Sequence, residues 1–120
     1  MIFAMKIRTL GFLGLVPAVA IAVTAAFGPF RIDVPARGFE EHCVKLAAGE
    51  RVRYRYTATA DVDFNIHHHR GNEVLYPVKS AGSRSADATF TAPQADTYCL
   101  MWERKGEGAT RIDGAVERAR

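Results

Sequence analysis

Three consecutive histidines, His67, His68 and His69, are the residues of this chain most suited to metal chemistry. Neutral imidazole is a ligand for zinc, copper and nickel. Successive side chains of an extended strand point to opposite faces. His67 and His69 therefore share one side, and His68 falls in phase with Phe64 and Ile66. Two imidazoles from one strand make half a copper or zinc site, with Glu73 or His42 as the third ligand if the fold brings either near. The simpler account is a polar strand end running into the turn Arg70-Gly71-Asn72.

Two further groups of residues carry chemistry. Cys43 and Cys99 are the two cysteines of the chain. An even count favours a bridge in an oxidising compartment. Closing a loop that long is worth about 4 kcal/mol on loop-entropy arguments. The alternative is a metal-binding or redox thiol pair, although redox pairs usually sit as Cys-x-x-Cys. Arg51, Arg53 and Arg55 form a basic stripe on one strand face, able to meet an anionic ligand such as a lipid headgroup. The simpler reading pairs them across the sheet with Asp61 and Asp63, at about 0.2–1 kcal/mol per pair. Ser80, Ser83 and Ser85 have no obvious base near them in sequence, so no hydrolase is assigned.

The elements that must position these residues are strands. Val52, Tyr54 and Tyr56 alternate with the three arginines, and Val62, Phe64 and Ile66 alternate with Asp61, Asp63 and Asn65. Period-two patterning marks half-buried strands. Val74, Tyr76 and Val78 make another such run, and Ala86, Ala88 and Phe90 a further one. Tyr98, Leu100 and Trp102 alternate with Cys99, Met101 and Glu103. Residues 80–85 read as a Ser/Gly loop, 105–108 as a hairpin loop, and Ile112 to Glu117 as a last strand. The expected fold is all-β, a small antiparallel sandwich of about 7–8 strands at spacings of about 8–12 residues. Phe64, Tyr98, Leu100 and Trp102 are its expected core.

The amino-terminal segment fixes the compartment. Lys6 and Arg8 precede an apolar run from Leu10 to Ala26 that ends in small residues, the layout of a secretory signal. An uncleaved membrane anchor is the alternative, and would be the chain's one membrane contact. Residues 1–26 are thus assigned to a signal or anchor and 27–120 to one domain, periplasmic or extracellular. Loss of Lys6 and Arg8 takes the formal charge from +3 to +1. Acids and bases are interspersed, which argues against a nucleic-acid partner.

Glu41-His42-Cys43, Gly49-Glu50, Asp61-Val62-Asp63-Phe64-Asn65-Ile66, Phe90-Thr91-Ala92 and Thr97-Tyr98-Cys99 together resemble the GOLD (Golgi-dynamics) domain, over about Phe39 to Val116. That resemblance implies a β-sandwich, a Cys43–Cys99 disulfide and a role in interaction rather than catalysis. Asp96 stands where the family usually has Gly, and Tyr98 adjoins Cys99 where the family separates the two. The trafficking role of the family's cargo receptors, which also carry a coiled coil and a membrane span, is not implied. Phe90-Thr91-Ala92-Pro93 with Thr97-Tyr98-Cys99 is also similar to the carboxyl end of cupredoxins. No His follows Cys99, and Met101 comes too early for an axial ligand. The expectation is a non-enzymatic, exported domain without a cofactor, contacting a protein or envelope component. The alternative is a copper- or zinc-binding envelope protein using His67 and His69.

Overall fold

The computed structural model describes residues 27–120, and the signal or anchor expected over 1–26 lies outside the described residues. Six strands form one antiparallel sheet: β1 (Gly28–Val34), β2 (Phe39–Leu46), β3 (Arg51–Arg70), β4 (Glu73–Thr91), β5 (Asp96–Glu103) and β6 (Thr110–Arg118). The order is β1-β6-β3-β5-β2, with β4 on the other edge of β3. The fold is all-β with one disulfide, as the sequence predicts.

Fewer strands than expected are needed because β3 and β4 each serve twice. The first half of β3 pairs with β6, from Val52 opposite Arg118 to Ala58 opposite Ile112. Its second half pairs with β5, from Asp63 opposite Glu103 to His67 opposite Cys99. β4 follows β3 throughout. The sheet thus curls over itself, and each layer holds four strand segments. Val52, Tyr54 and Tyr56 on one half face Phe64 and Ile66 on the other, and all five are buried. Tyr98, Leu100 and Trp102 join them, as their alternation requires. Trp102 lies at the centre, with ring centroids 5.4 Å from Phe30, 5.6 Å from Tyr56 and 5.6 Å from Phe64. Such contacts are worth about 0.5–1.5 kcal/mol per pair beyond area burial.

The corner of the curl lies at 57–62, where the register of β3 against β4 shifts. Extra residues in one strand bend it and leave backbone groups without ladder partners. Two threonines supply partners. Thr59 Oγ1 and Thr110 Oγ1 lie 2.9 Å apart, the Ala60 amide donates to Thr110 Oγ1 at 3.0 Å, and the Arg111 amide donates to Thr59 Oγ1 at 3.0 Å. Arg104 donates to the Asp61 carbonyl at 2.9 Å. On β4 the same corner falls at 80–85, the segment expected as a loop. Gly82 takes a φ of +61° there, and its amide donates to Asp63 Oδ1 at 3.0 Å. Gly114 lets β6 close onto β3, since an added Cβ would overlap the Arg55 carbonyl oxygen.

Thr110 is buried, so Thr110→Val removes the acceptor of the Ala60 amide at nearly constant volume. Leaving that donor unpaired is expected to cost about 1–3 kcal/mol. Urea denaturation measures the loss, and an unchanged midpoint would contradict this account of the corner.

Candidate functional site

The outer face of the layer built from β2, β5 and the second half of β3 gathers most of the reactive side chains. Cys43 is opposite Cys99 on β5, which is opposite His67 on β3, so the three form one row. Glu41, Met101 and Asn65 form the next row on that face, two residues along each strand. Cys43 and Cys99 are bonded, with Cα atoms 3.9 Å apart. A Glu41 carboxylate oxygen lies within 4.8 Å of both sulfurs. Cys43 and Glu41 are exposed and Cys99 is half-buried.

His67 is only 6% exposed. Its Nε2 lies 3.1 Å from Glu41 Oε1, and its Nδ1 lies 2.8 Å from Asn65 Oδ1. Burial pushes its pKa below the ordinary histidine value, with Glu41 opposing and His69 and His68 adding to the fall. The ring is therefore neutral near pH 7, with Nε2–H donating to Glu41. A half-turn of the Asn65 amide then presents Nδ2–H to Nδ1, which satisfies both ring nitrogens.

The β3–β4 hairpin extends beyond this face. It turns at 70–73, with Gly71 at a φ of +62°. Tyr76 and Pro77 together oppose His67, between the pairs His68–Leu75 and Ile66–Val78. This bulge suits Pro77, which has no amide to offer the ladder. The Tyr76 ring sits 5.8 Å from His67, and Lys79 Nζ lies 4.9 Å from the Tyr76 ring centre. The run Val74, Tyr76, Val78 is a strand, as predicted, but only Val78, past the bulge and opposite Ile66, packs against the core. Val74, Leu75 and Tyr76 are 40%, 38% and 46% exposed.

The four residues proposed from sequence as metal ligands are not brought to one point. His42 lies on the core side of β2, in phase with Val44 and Leu46, and stacks on Phe30 at 4.6 Å. His67 and His69 meet edge to face at 5.5 Å. Glu73 is at the hairpin tip, opposite Arg70. His68 points to the core face, tilted against the Tyr98 ring at 4.6 Å and bonded to Asp96 Oδ2 at 2.9 Å. This contact and the Thr97 amide hold the Asp96 carboxyl below its usual range. Glu41 and Asn65 escaped the sequence reading, although each stands two residues before a residue already singled out.

The arginine stripe is exposed and paired, but with other acids than expected. Arg53 makes a bidentate contact with Asp87 at 2.9 and 2.7 Å, and Arg55 reaches Glu117 at 3.5 Å. Arg51 donates to the Arg120 carbonyl at 2.6 Å. Asp61 instead holds Arg84, and Asp63 holds Lys105. The register places β4 and β6, not a strand bearing Asp61 and Asp63, beside the arginines. A groove of about 370 Å³ beside Arg55 also contains Asp87 and Asp113, so it carries both signs of charge.

No family model and no curated protein matches the chain. Solved structures do. The pre-peptidase C-terminal domain of a Bacillus anthracis collagenase aligns with a TM-score of 0.55 at 15% identity, over 73% of this chain and 88% of its own. PliG from Aeromonas hydrophila, a periplasmic inhibitor of g-type lysozyme, aligns with a TM-score of 0.56 at 10% identity, over 78% of this chain and 89% of its own. A CBM4 structure aligns with a TM-score of 0.50 at 14% identity, over 76% of this chain and 71% of its own. These likenesses establish an all-β fold and do not extend to the GOLD family.

A histidine whose folded pKa is depressed takes up a proton more readily when unfolded. Its stabilising effect is complete above the unfolded value near 6.5 and is lost as pH falls below it toward the folded value. The urea midpoint is therefore expected to fall between about pH 7 and pH 5, and His67→Gln should flatten that decline. Equal slopes in the two proteins would contradict the assignment of a buried, neutral His67.

Proposed function

We propose that this chain is an exported, non-catalytic binding domain whose partner is a protein or another envelope component, and that the β3–β4 hairpin tip makes the contact. The observation that carries this reading is the run Val74, Leu75 and Tyr76, three successive large apolar side chains left exposed on the two faces of a hairpin end that projects past its layer. Single exposed apolar residues are ordinary, but contiguous ones mark contact sites. An aromatic ring beside aliphatic side chains is also the composition of interface anchors.

Two further observations support the reading. The disulfide suits a protein outside the reducing cytoplasm. The periplasmic lysozyme inhibitor shares the fold and acts on another protein, and a carbohydrate-binding module shares it too. The role is of the kind the GOLD resemblance implies, a sandwich acting by contact rather than by chemistry.

The test is retention on immobilised wild-type protein from an envelope extract, repeated with Val74→Ser/Leu75→Ser. Both positions are exposed, so the variant is expected to keep its melting temperature, with a stability change of about 0.5 kcal/mol or less. A retained component should rebind purified wild type at a fixed stoichiometry and bind the variant at least about tenfold more weakly. Equal binding by both proteins would remove the hairpin tip from the contact.

A further inference from the structure

We propose that the Cys43–Cys99 disulfide is the closed form of a metal site, and that its reduction opens a pocket for Zn²⁺ ligated by Cys43, Cys99, Glu41 and His67. Three of the four donors are already assembled, and the fourth adjoins them. Both sulfurs and a Glu41 carboxylate oxygen lie within 4.8 Å of one another. His67 stands in the same cross-strand row as the two cysteines, and its Nε2 lies 3.1 Å from Glu41 Oε1. Two sulfurs, an imidazole and a carboxylate are a ligand set zinc accepts in tetrahedral geometry.

His67 has the surroundings of a ligand rather than of a core residue. In the metal-bound form the ring carries its proton on Nδ1 and donates it to Asn65 Oδ1 across the 2.8 Å contact, which fixes the ring and leaves the Nε2 lone pair, beside Glu41, for the metal. Metal-bound histidines are oriented in this way through their second nitrogen. The backbone needs little change. β2 and β5 stay in register from Phe39 opposite Glu103 to Leu46 opposite Asp96, so eight pairs hold the two cysteines side by side without the bond. Once the bond is broken, the sulfurs can separate by side-chain rotation alone. A tetrahedron with Zn–S bonds of about 2.3 Å sets them about 3.8 Å apart.

The bond is also accessible. Cys43 is exposed, so a dithiol reductant reaches its sulfur from solvent. Attack breaks the S–S bond and forms a mixed disulfide. The second thiol of the reductant then closes on the first, leaving two cysteine thiols and one oxidised reductant. Zn²⁺ binding releases both thiol protons to solvent.

Cobalt titration of the full chain tests this. The protein is used as purified and after reduction by a phosphine, with the phosphine removed anaerobically. The oxidised protein should show no thiolate-to-cobalt absorption. The reduced protein should develop that absorption to one equivalent of Co²⁺, with the d–d bands of a tetrahedral ion, and Zn²⁺ should abolish both. His67→Gln and Glu41→Gln should each weaken binding at least about tenfold, and Cys43→Ser/Cys99→Ser should abolish it. Circular dichroism of each sample reports folding. If the reduced protein unfolds, Co²⁺ or Zn²⁺ should restore the strand signal, and less readily in His67→Gln. Absent cobalt–thiolate absorption, or wild-type affinity in both single variants, would overturn the proposal, as would a reduced chain that metal fails to refold.

Discussion

One strand folded against itself organises this molecule. Tyr54 and Tyr56 lie on the first half of β3 and Phe64 on the second, yet their rings pack at 5.5 and 4.9 Å across the core. Trp102 completes the contact from β5. The indole Nε1 has no hydrogen-bond partner among the described residues, at a cost of about 1–3 kcal/mol. Aromatic packing on all sides offsets that cost. The corner that makes the contact possible depends on Thr59 and Thr110, which accept the backbone amides that the bend takes out of the ladder. Sheet pairing, core and corner are therefore one constraint.

That constraint also makes the site. Because β3 crosses from one layer to the other, its second half lies beside β5, and only this pairing puts His67 next to Cys99. The disulfide then ties β2 to β5 in the same row. Because β4 follows β3 past the last residue paired with β5, the hairpin overhangs its layer. Val74 and Tyr76 alternate like buried strand residues, but among the described residues no third strand covers them. An exposed apolar tip and a reactive row beneath it are two consequences of one long hairpin.

Much of the fold was legible because it is written in parity. Alternation alone puts Phe64, Tyr98, Leu100 and Trp102 inside, and all four are buried; Val52, Tyr54 and Tyr56, the apolar phase of a half-buried strand, are buried with them. The same parity constrains His42. His42 stands two residues before Val44 and belongs to the core face, so it could not join His67 on the outer one. What local patterning did not contain is register. The Ser/Gly composition of 80–85 suggests a loop, but pairing with β3 holds it as the second corner strand. The partners of Arg53 and Arg55 likewise depend on which strands lie beside β3, and Asp87 and Glu117 are distant in sequence. The cysteines were visible as a pair, whereas Glu41 and Asn65 gained meaning only once rows crossed three strands.

The most direct test of the shared hairpin is native-state amide hydrogen exchange. If both halves of β3 belong to one core, the core-flanking amides of Tyr54, Tyr56, Phe64 and Ile66 should exchange through a single opening, with one common free energy equal to that of global unfolding. Two separate free energies, with the 63–67 segment opening well before 52–58, would show that the layers are independent. The account of one strand holding both layers together would then be wrong.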